Sequence, residues 1–201
     1  MRVLELFAGS RSIGKAAEEL GMEVFSSDLE AFPGIDYQVD ILDFDLNKLP
    51  WKPDIIWASP PCTSYSIAAV SHHRNGIFPT SDFAAKSDKM LMQTIYIIFM
   101  LDPKYYFIEN PRGMLRKMPF MQHVHRSTVT YCQYGDERMK PTDIWHFSNW
   151  KPRPMCKNGD NCHEAAPRGS QTGTQGRANN YERSKIPHEL CLEVLKSCVN
   201  K

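Results

Sequence analysis

The sequence predicts an α/β fold built on a parallel sheet with crossover helices, and three observations carry that expectation. Strand-like apolar runs alternate with helical runs from residue 1 to about residue 110. The fourth run, Asp54-Ile55-Ile56-Trp57-Ala58, is almost wholly apolar, as a strand covered on both faces must be. The length, 201 residues, suits one such domain with a small appendage.

The elements follow in order. Residues 3–7 read as a first strand that ends in Ala8-Gly9-Ser10. Residues 12–20 are helical in pattern and Gly21 stops them. Residues 23–27 form a second strand, a short third closes at Asp40-Ile41, and residues 54–58 are the fourth. A long helix is expected over residues 87–100 and a fifth strand over 105–108. Residues 128–134 are a candidate further strand. Residues 150–180 are rich in Pro, Gly, Asn, Arg and Lys and show little periodicity, and residues 186–198 return to an amphipathic helix with Ile186, Leu190, Val194 and Leu195 near one face. The expected organisation is a catalytic domain over residues 1–140, an irregular insert over 141–182 and a returning C-terminal helix over 183–201.

Charge is nearly balanced, with 24 Lys and Arg against 23 Asp and Glu. Its distribution is uneven: residues 1–137 hold 13 basic against 17 acidic side chains, and residues 138–185 hold 9 against 4. The second stretch is a candidate for phosphate contact, the alternative being an ordinary solvated basic loop. Six cysteines, Cys62, Cys132, Cys156, Cys162, Cys191 and Cys198, occur in a chain that opens directly into a strand, so reduced thiols, an intracellular setting and a monomer are expected rather than a disulfide framework. No apolar run has membrane-spanning length, and no membrane partner is expected.

Three motifs carry chemistry. Gly9 allows a tight strand-to-helix turn and close approach of a ligand to the backbone; Asp28, at the next strand tip, suits a carboxylate for ribose hydroxyls. A plain β–α turn is the alternative. Ala58-Ser59-Pro60-Pro61-Cys62 follows the fourth strand, where ligands of open α/β sheets gather, and two prolines would fix a nucleophilic Cys62 in the crevice. Tyr106-Phe107-Ile108-Glu109-Asn110-Pro111 places Glu109 at the end of a neighbouring strand.

With these motifs in this order, the chain resembles the C5-cytosine DNA methyltransferase family. Phe7-Ala8-Gly9 with Gly14 matches the family's cofactor motif, Pro61-Cys62 its nucleophile motif and Glu109-Asn110 its Glu-Asn motif. Tyr134-Gly135 followed by Arg138 and Lys140 is similar to the later Arg-rich motif. The resemblance covers residues 1 to about 145 and the final helix. It implies a Rossmann-like S-adenosyl-L-methionine (SAM)-dependent methyltransferase sheet with a small irregular target-recognition insert, double-stranded DNA as partner, and a base flipped out of the stack. It implies attack of Cys62 on C6 of cytosine, Glu109 at the N3 edge, and Arg138 on the O2 side with Lys140 as second candidate. Cofactor contacts are implied for Phe7, Ala8, Gly9, Ser10, Ser12 and Ile13, for Asp28 and Leu29, for Asp40 and Ile41, for Ser59 and Pro60, and for Arg183, Ser184 and Lys185. The stretch from Ser64 to Asp82, with His72, His73, Arg74 and Asn75, is expected to close over DNA or to be a passive loop.

The departures are specific. Ser10 replaces a second Gly, Thr63 a Gln and Pro111 a Val, and the Arg-rich motif is shorter by about two residues. Arg183-Ser184-Lys185 stands where the family has Gly-Asn. Cations beside a sulfonium are unfavourable unless an anion intervenes, so one reading is a carboxylated SAM analogue that transfers carboxymethyl; the other is that both side chains face solvent or DNA. In the insert, Cys156, Cys162 and His163, with Cys132 before them, suit tetrahedral zinc, as against reduced surface thiols. An N-adenine methyltransferase would need an aromatic where Cys62 stands. An RNA cytosine methyltransferase would share the chemistry of Cys62, and an inactive DNA-binding remnant would have no need of an intact Cys62 and Glu109.

Overall fold

The structure is a computed structural model that describes residues 1–164 and 180–199. β1 (Arg2–Leu6) leads into α1 (Ser12–Glu19), β2 (Glu23–Asp28), the short β3 (Tyr37–Gln38) and β4 (Ile55–Ala58). A single-turn α2 (Val70–His73) precedes the small hairpin β5 (Arg74–Asn75) and β6 (Phe78–Pro79). Then come α3 (Asp82–Leu101), β7 (Tyr105–Pro111), β8 (Arg126–Thr130), β9 (Pro141–Phe147), α4 (Asn180–Ser184) and α5 (His188–Val199).

The central sheet runs β3-β2-β1-β4-β7-β9-β8. β3, β2, β1, β4 and β7 are parallel, and β9 enters antiparallel between β7 and β8. Period-two alternation splits the core into two layers. Val3, Ile55, Trp57, Phe107 and Ile144 face α1 and α5, against Ile13, Ala17, Leu190 and Val194. Leu4, Leu6, Ile56, Ala58, Ile108 and Trp145 face α3, against Leu91, Ile97 and Ile98. This doubly covered, mostly parallel sheet is the α/β class the sequence predicts.

Several boundaries differ from expectation, each for a local reason. The third strand ends at Gln38, because the Asp40 carboxylate accepts the Leu42 N–H (3.1 Å) and turns the chain into a 3₁₀ turn, Ile41–Asp43. The long helix begins at Asp82, where the Ser81 hydroxyl caps the Ala84 N–H (3.2 Å). The expected strand over 128–134 is β8 followed by a 3₁₀ turn, Tyr131–Tyr134, which Gly135 ends in left-handed backbone (φ 82°).

The largest correction is β9. Residues 141–147 belong to the central sheet, so the sheet-forming part of the chain does not stop at residue 140. The strand looks polar in sequence, yet Asp143 is buried and pairs with Arg116 (2.9 and 2.5 Å), and the His146 ring is held by Ser127 (3.0 Å) and Ser148 (2.7 Å). Trp150 and Arg153 then fold back to meet Glu193 of α5 (3.0 and 2.8 Å).

His146 gives this edge a pH response. Its ring stacks on Phe107 (5.8 Å), meets His125 edge-on (4.7 Å), and is 1% exposed. Burial, with His125 adding to it, pushes its pKa down to about 4. The unfolded chain binds this proton near about 6.5, so the stabilisation is lost as pH falls from there through about 4. Between pH 7 and pH 5 this group should cost about 2 kcal/mol. Urea unfolding of wild type and His146→Gln at both pH values checks it: the variant should lose less stability on acidification.

Candidate active site

β1 and β4 are neighbours from which the strand order departs in opposite directions, so a crevice opens at their carboxyl ends. The turn after β1 lines one wall. Phe7, Gly9 and Arg11 all take left-handed backbone (φ 56°, 49° and 54°), a concentration of strain that the surroundings must hold. They do so through the Asp28 carboxylate, which accepts the Gly9 N–H (2.9 Å), and through Glu5. The Glu5 carboxylate accepts the Ile13 and Gly14 N–H groups (3.0 and 3.1 Å) and the Ser26 hydroxyl (3.2 Å), capping α1 from inside the sheet. Burial pushes the Glu5 pKa up to about 7 despite these donors. Gly14 is required by this cap, because a Cβ there would lie 2.8 Å from Glu5 Oε2.

The turn after β4 lines the opposite wall and carries Cys62. Its position is fixed from β7: Asn110 Nδ2 donates to the Pro60 carbonyl (2.9 Å). The Cys62 carbonyl accepts the Tyr65 and Ser66 N–H groups (both 2.9 Å). The Tyr65 carbonyl takes the Met114 N–H (2.7 Å), and a Cβ on Gly113 would lie only 2.3 Å from that oxygen. Cys62 itself is partly exposed to the crevice.

Glu109 is buried beside it. Its carboxyl accepts the Tyr131 hydroxyl (2.9 Å) and bonds the Ser59 hydroxyl, which in turn accepts the Trp57 indole N–H (2.9 Å). Burial pushes the Glu109 pKa above the usual carboxylate range, and the nearby Lys140, Tyr131 and Ser59 draw it partly back. The same burial pushes the Lys140 pKa down, while Glu109 and Cys62 act on it in the opposite sense. The Lys140 ammonium lies 4.6 Å from the Tyr131 ring centroid.

One cavity of about 750 Å³ joins the two walls. Of the residues expected at the site, Cys62, Glu109, Phe7, Ala8, Gly9, Ser10, Ser12, Asp28, Leu29, Asp40, Ile41, Ser59, Pro60 and Ser184 line it. Ile13 does not: its side chain is core, and only its N–H serves the turn. Arg138 does not: its guanidinium is buried against Asp136, two residues before it. Lys140, the second candidate, lines the cavity in its place. Lys185 pairs with Glu182 (2.7 Å), sits over Tyr181, and is absent from the cavity wall. The Arg183 side chain lies outside the described residues. Arg74, expected in a loop over DNA, is instead a buried anchor: it bonds Asp88 (2.6 and 3.0 Å) and stacks on Tyr65 (4.4 Å). Cys132, Cys156, Cys162 and His163 come together far from Cys62 in sequence, with ligand atoms within 4.8 Å of one another.

The sequence reading missed Tyr131, Glu5 and the aromatic pair Phe32 and Tyr181 (5.6 Å), which lines the cavity. Only the placement of Glu5 four residues before Gly9 could have signalled a cap. Among the described residues no helix is long and apolar enough to cross a membrane.

The cavity fits SAM on the chemistry of its wall. Apolar Phe32, Ile41 and Leu29 could flank an adenine, and Asp28, Glu30 and Asp40 offer carboxylates beside them. The strained Gly9 turn offers backbone. Comparison with known proteins agrees. Residues 1–124 match the model of the C-5 cytosine-specific DNA methylases. A relative from Frog virus 3 (isolate Goorha), named a probable DNA (cytosine-5)-methyltransferase, is 30% identical over 98% of this chain and 100% of its own. Two solved structures share the fold. One, described as a DNA modification methyltransferase encoded within an E. coli prophage, gives a TM-score of 0.56 at 15% identity over 79% of this chain and 52% of its own. The other, Spodoptera frugiperda DNMT2, gives 0.52 at 19% identity over 76% and 53%. The chain thus spans about half the length of these solved structures and the whole length of the viral relative. By its family match over more than half its length and by its viral relative, this chain belongs to the C-5 cytosine-specific DNA methylase family.

Proposed function

We propose that the chain methylates C5 of cytosine in double-stranded DNA, through a covalent bond between Cys62 and C6 of a flipped base. The observation that carries this reading is the meeting, in one cavity, of a partly exposed Cys62, a buried Glu109 with a raised pKa, and Lys140. Lys140 places an amine close enough to Cys62 for the sulfur to act on its charge. The Cys62 thiolate adds to C6, and Glu109 gives a proton to N3, so the negative charge does not build up on the ring. The Tyr131 and Ser59 hydroxyls hold the carboxyl in place during that transfer. We assign Lys140, rather than Arg138, to the O2 side of the base. SAM, held by the Gly9 turn with Asp28, Asp40 and Ser184, supplies the methyl group to C5 when bound. Solvent then takes the C5 proton, the electron pair re-forms the C5–C6 double bond as the C6–S bond breaks, N3 returns its proton to Glu109, and Cys62 leaves as the thiolate.

We assign SAM itself, and not a carboxylated analogue, as donor, because the Lys185 ammonium is engaged by Glu182 outside the cavity wall. The test is incubation of the full chain with SAM, and in parallel with SAM plus its carboxylated analogue, on duplex DNA and on RNA containing 5-fluorocytosine, which arrests the elimination. A denaturant-stable protein–DNA adduct is expected, together with 5-methylcytosine in ordinary duplex DNA by mass spectrometry. Carboxymethylcytosine would overturn the donor, adducts with RNA alone would overturn the substrate, and neither adduct nor methylcytosine would overturn the reaction.

A further inference from the structure

Away from the cavity, four side chains converge with no role in that reaction. Cys132 lies in the 3₁₀ turn after β8, whereas Cys156, Cys162 and His163 come from the irregular segment after Trp150. The sulfurs of Cys132 and Cys156 are 3.0 Å apart, and those of Cys132 and Cys162 3.6 Å. His163 Nδ1 lies 3.8 Å from Cys156 Sγ and 3.4 Å from Cys162 Sγ. Tetrahedral zinc, with bonds of about 2.3 Å to sulfur and about 2.0 Å to nitrogen, separates its ligand atoms by roughly 3.5–3.8 Å. The three thiols and one imidazole are therefore already near the spacing such an ion imposes. The Nδ1 edge of the ring faces the thiols, while Nε2 lies 3.4 Å from both Asn158 Oδ1 and the Gly159 backbone nitrogen, on the side away from them.

We propose that Cys132, Cys156, Cys162 and His163 bind one zinc ion that fastens the segment after β9 to the turn carrying Tyr131. Arg153 ties the start of that segment to Glu189, Glu193 and the Gln133 carbonyl, and the Cys156 N–H bonds Thr130 Oγ1 (3.1 Å), but the segment has no core of its own. Residues 151–164 form no helix or strand and bury no hydrophobic side chain of their own. A metal supplies the cross-link that a core would otherwise provide, with the thiol protons released to solvent. Its anchor on the catalytic side is next in sequence to Tyr131, the hydroxyl donor to Glu109. The ion would lie outside the cavity and take no part in the chemistry.

The experiment is metal analysis of the full chain purified without chelator, with zinc replaced by Co²⁺ in a second sample. One zinc per chain is expected, and the cobalt form should show thiolate charge-transfer absorption with the d–d bands of a tetrahedral site. Cys162→Ser and His163→Ala, both near the surface, should lose most of the zinc and both bands while the far-UV circular dichroism stays unchanged. Cys62→Ser should keep the zinc. The proposal is overturned by absence of stoichiometric zinc from protein refolded in its presence, by zinc retained at wild-type level in both variants, or by a Cys132–Cys156 disulfide in protein purified under reducing conditions. None of these readouts depends on methyl transfer, so failure here is distinct from failure of the proposed reaction.

Discussion

Cys62→Ala is expected to abolish methyl transfer and adduct formation together, with turnover falling on the order of 10⁴-fold or more. The size follows from what the sulfur does. C5 of cytosine carries too little electron density to attack a methyl donor until a nucleophile has added at C6, and Cys62 is the one thiol among the described residues lining the cavity. The loss should be one of chemistry alone. The turn around residue 62 is set by backbone bonds from its carbonyl to Tyr65 and Ser66 and by Asn110 on Pro60, none of which involves the sulfur. Binding of SAM by calorimetry, and of duplex DNA by fluorescence anisotropy, should therefore remain within a few-fold of wild type. A variant that still formed the 5-fluorocytosine adduct would place the nucleophile elsewhere.

Glu109→Gln should lower single-turnover methylation by about 10²–10⁴-fold, the usual reach of a general acid. The amide has nearly the same shape and can still accept from Tyr131, so the buried packing survives, but it cannot give up a proton to N3. The pH profile separates this from a packing defect. Burial raises the Glu109 pKa, so the carboxyl stays protonated to higher pH than an exposed one, and the wild-type rate should fall as pH rises through that value. The Gln variant should be slow throughout and lack that limb. A variant retaining the wild-type alkaline limb would assign the proton to another group.

How much of this can be read from the residues alone depends on where each residue's partner lies. The parallel strands are legible because both faces are buried and the apolar runs are continuous, as in Ile55-Ile56-Trp57-Ala58. The turns at Gly9 and Pro60-Pro61 are legible because their backbone demands leave few residue choices. β9 is not, since Asp143 and His146 are polar residues whose partners, Arg116 and Thr128 for the first and Ser127 for the second, come from elsewhere in the chain. Arg138 and Lys140 cannot be ranked by sequence either: the choice rests on Asp136, which engages Arg138 locally and leaves the cavity wall to Lys140. Tyr131 gives no signal, because an aromatic at a strand end reads as core. The Cys and His cluster is readable from composition, as it depends on residue type more than on geometry.

The insertion of β9 between β7 and β8 has a consequence for how the active protein comes into being. β8 touches the sheet only through β9, so the two strands must dock onto β7 as a hairpin, with the turn at 131–140 at its tip. Tyr131 and Lys140 both ride on that hairpin, whereas Cys62, in the turn after β4, and Glu109, on β7, come earlier in the chain. A chain emerging from the ribosome would complete Cys62 and Glu109, the proposed nucleophile and acid, first and leave them without Tyr131 and Lys140 until the hairpin arrives. Docking of this one unit is thus the folding step that should switch the site from inert to competent.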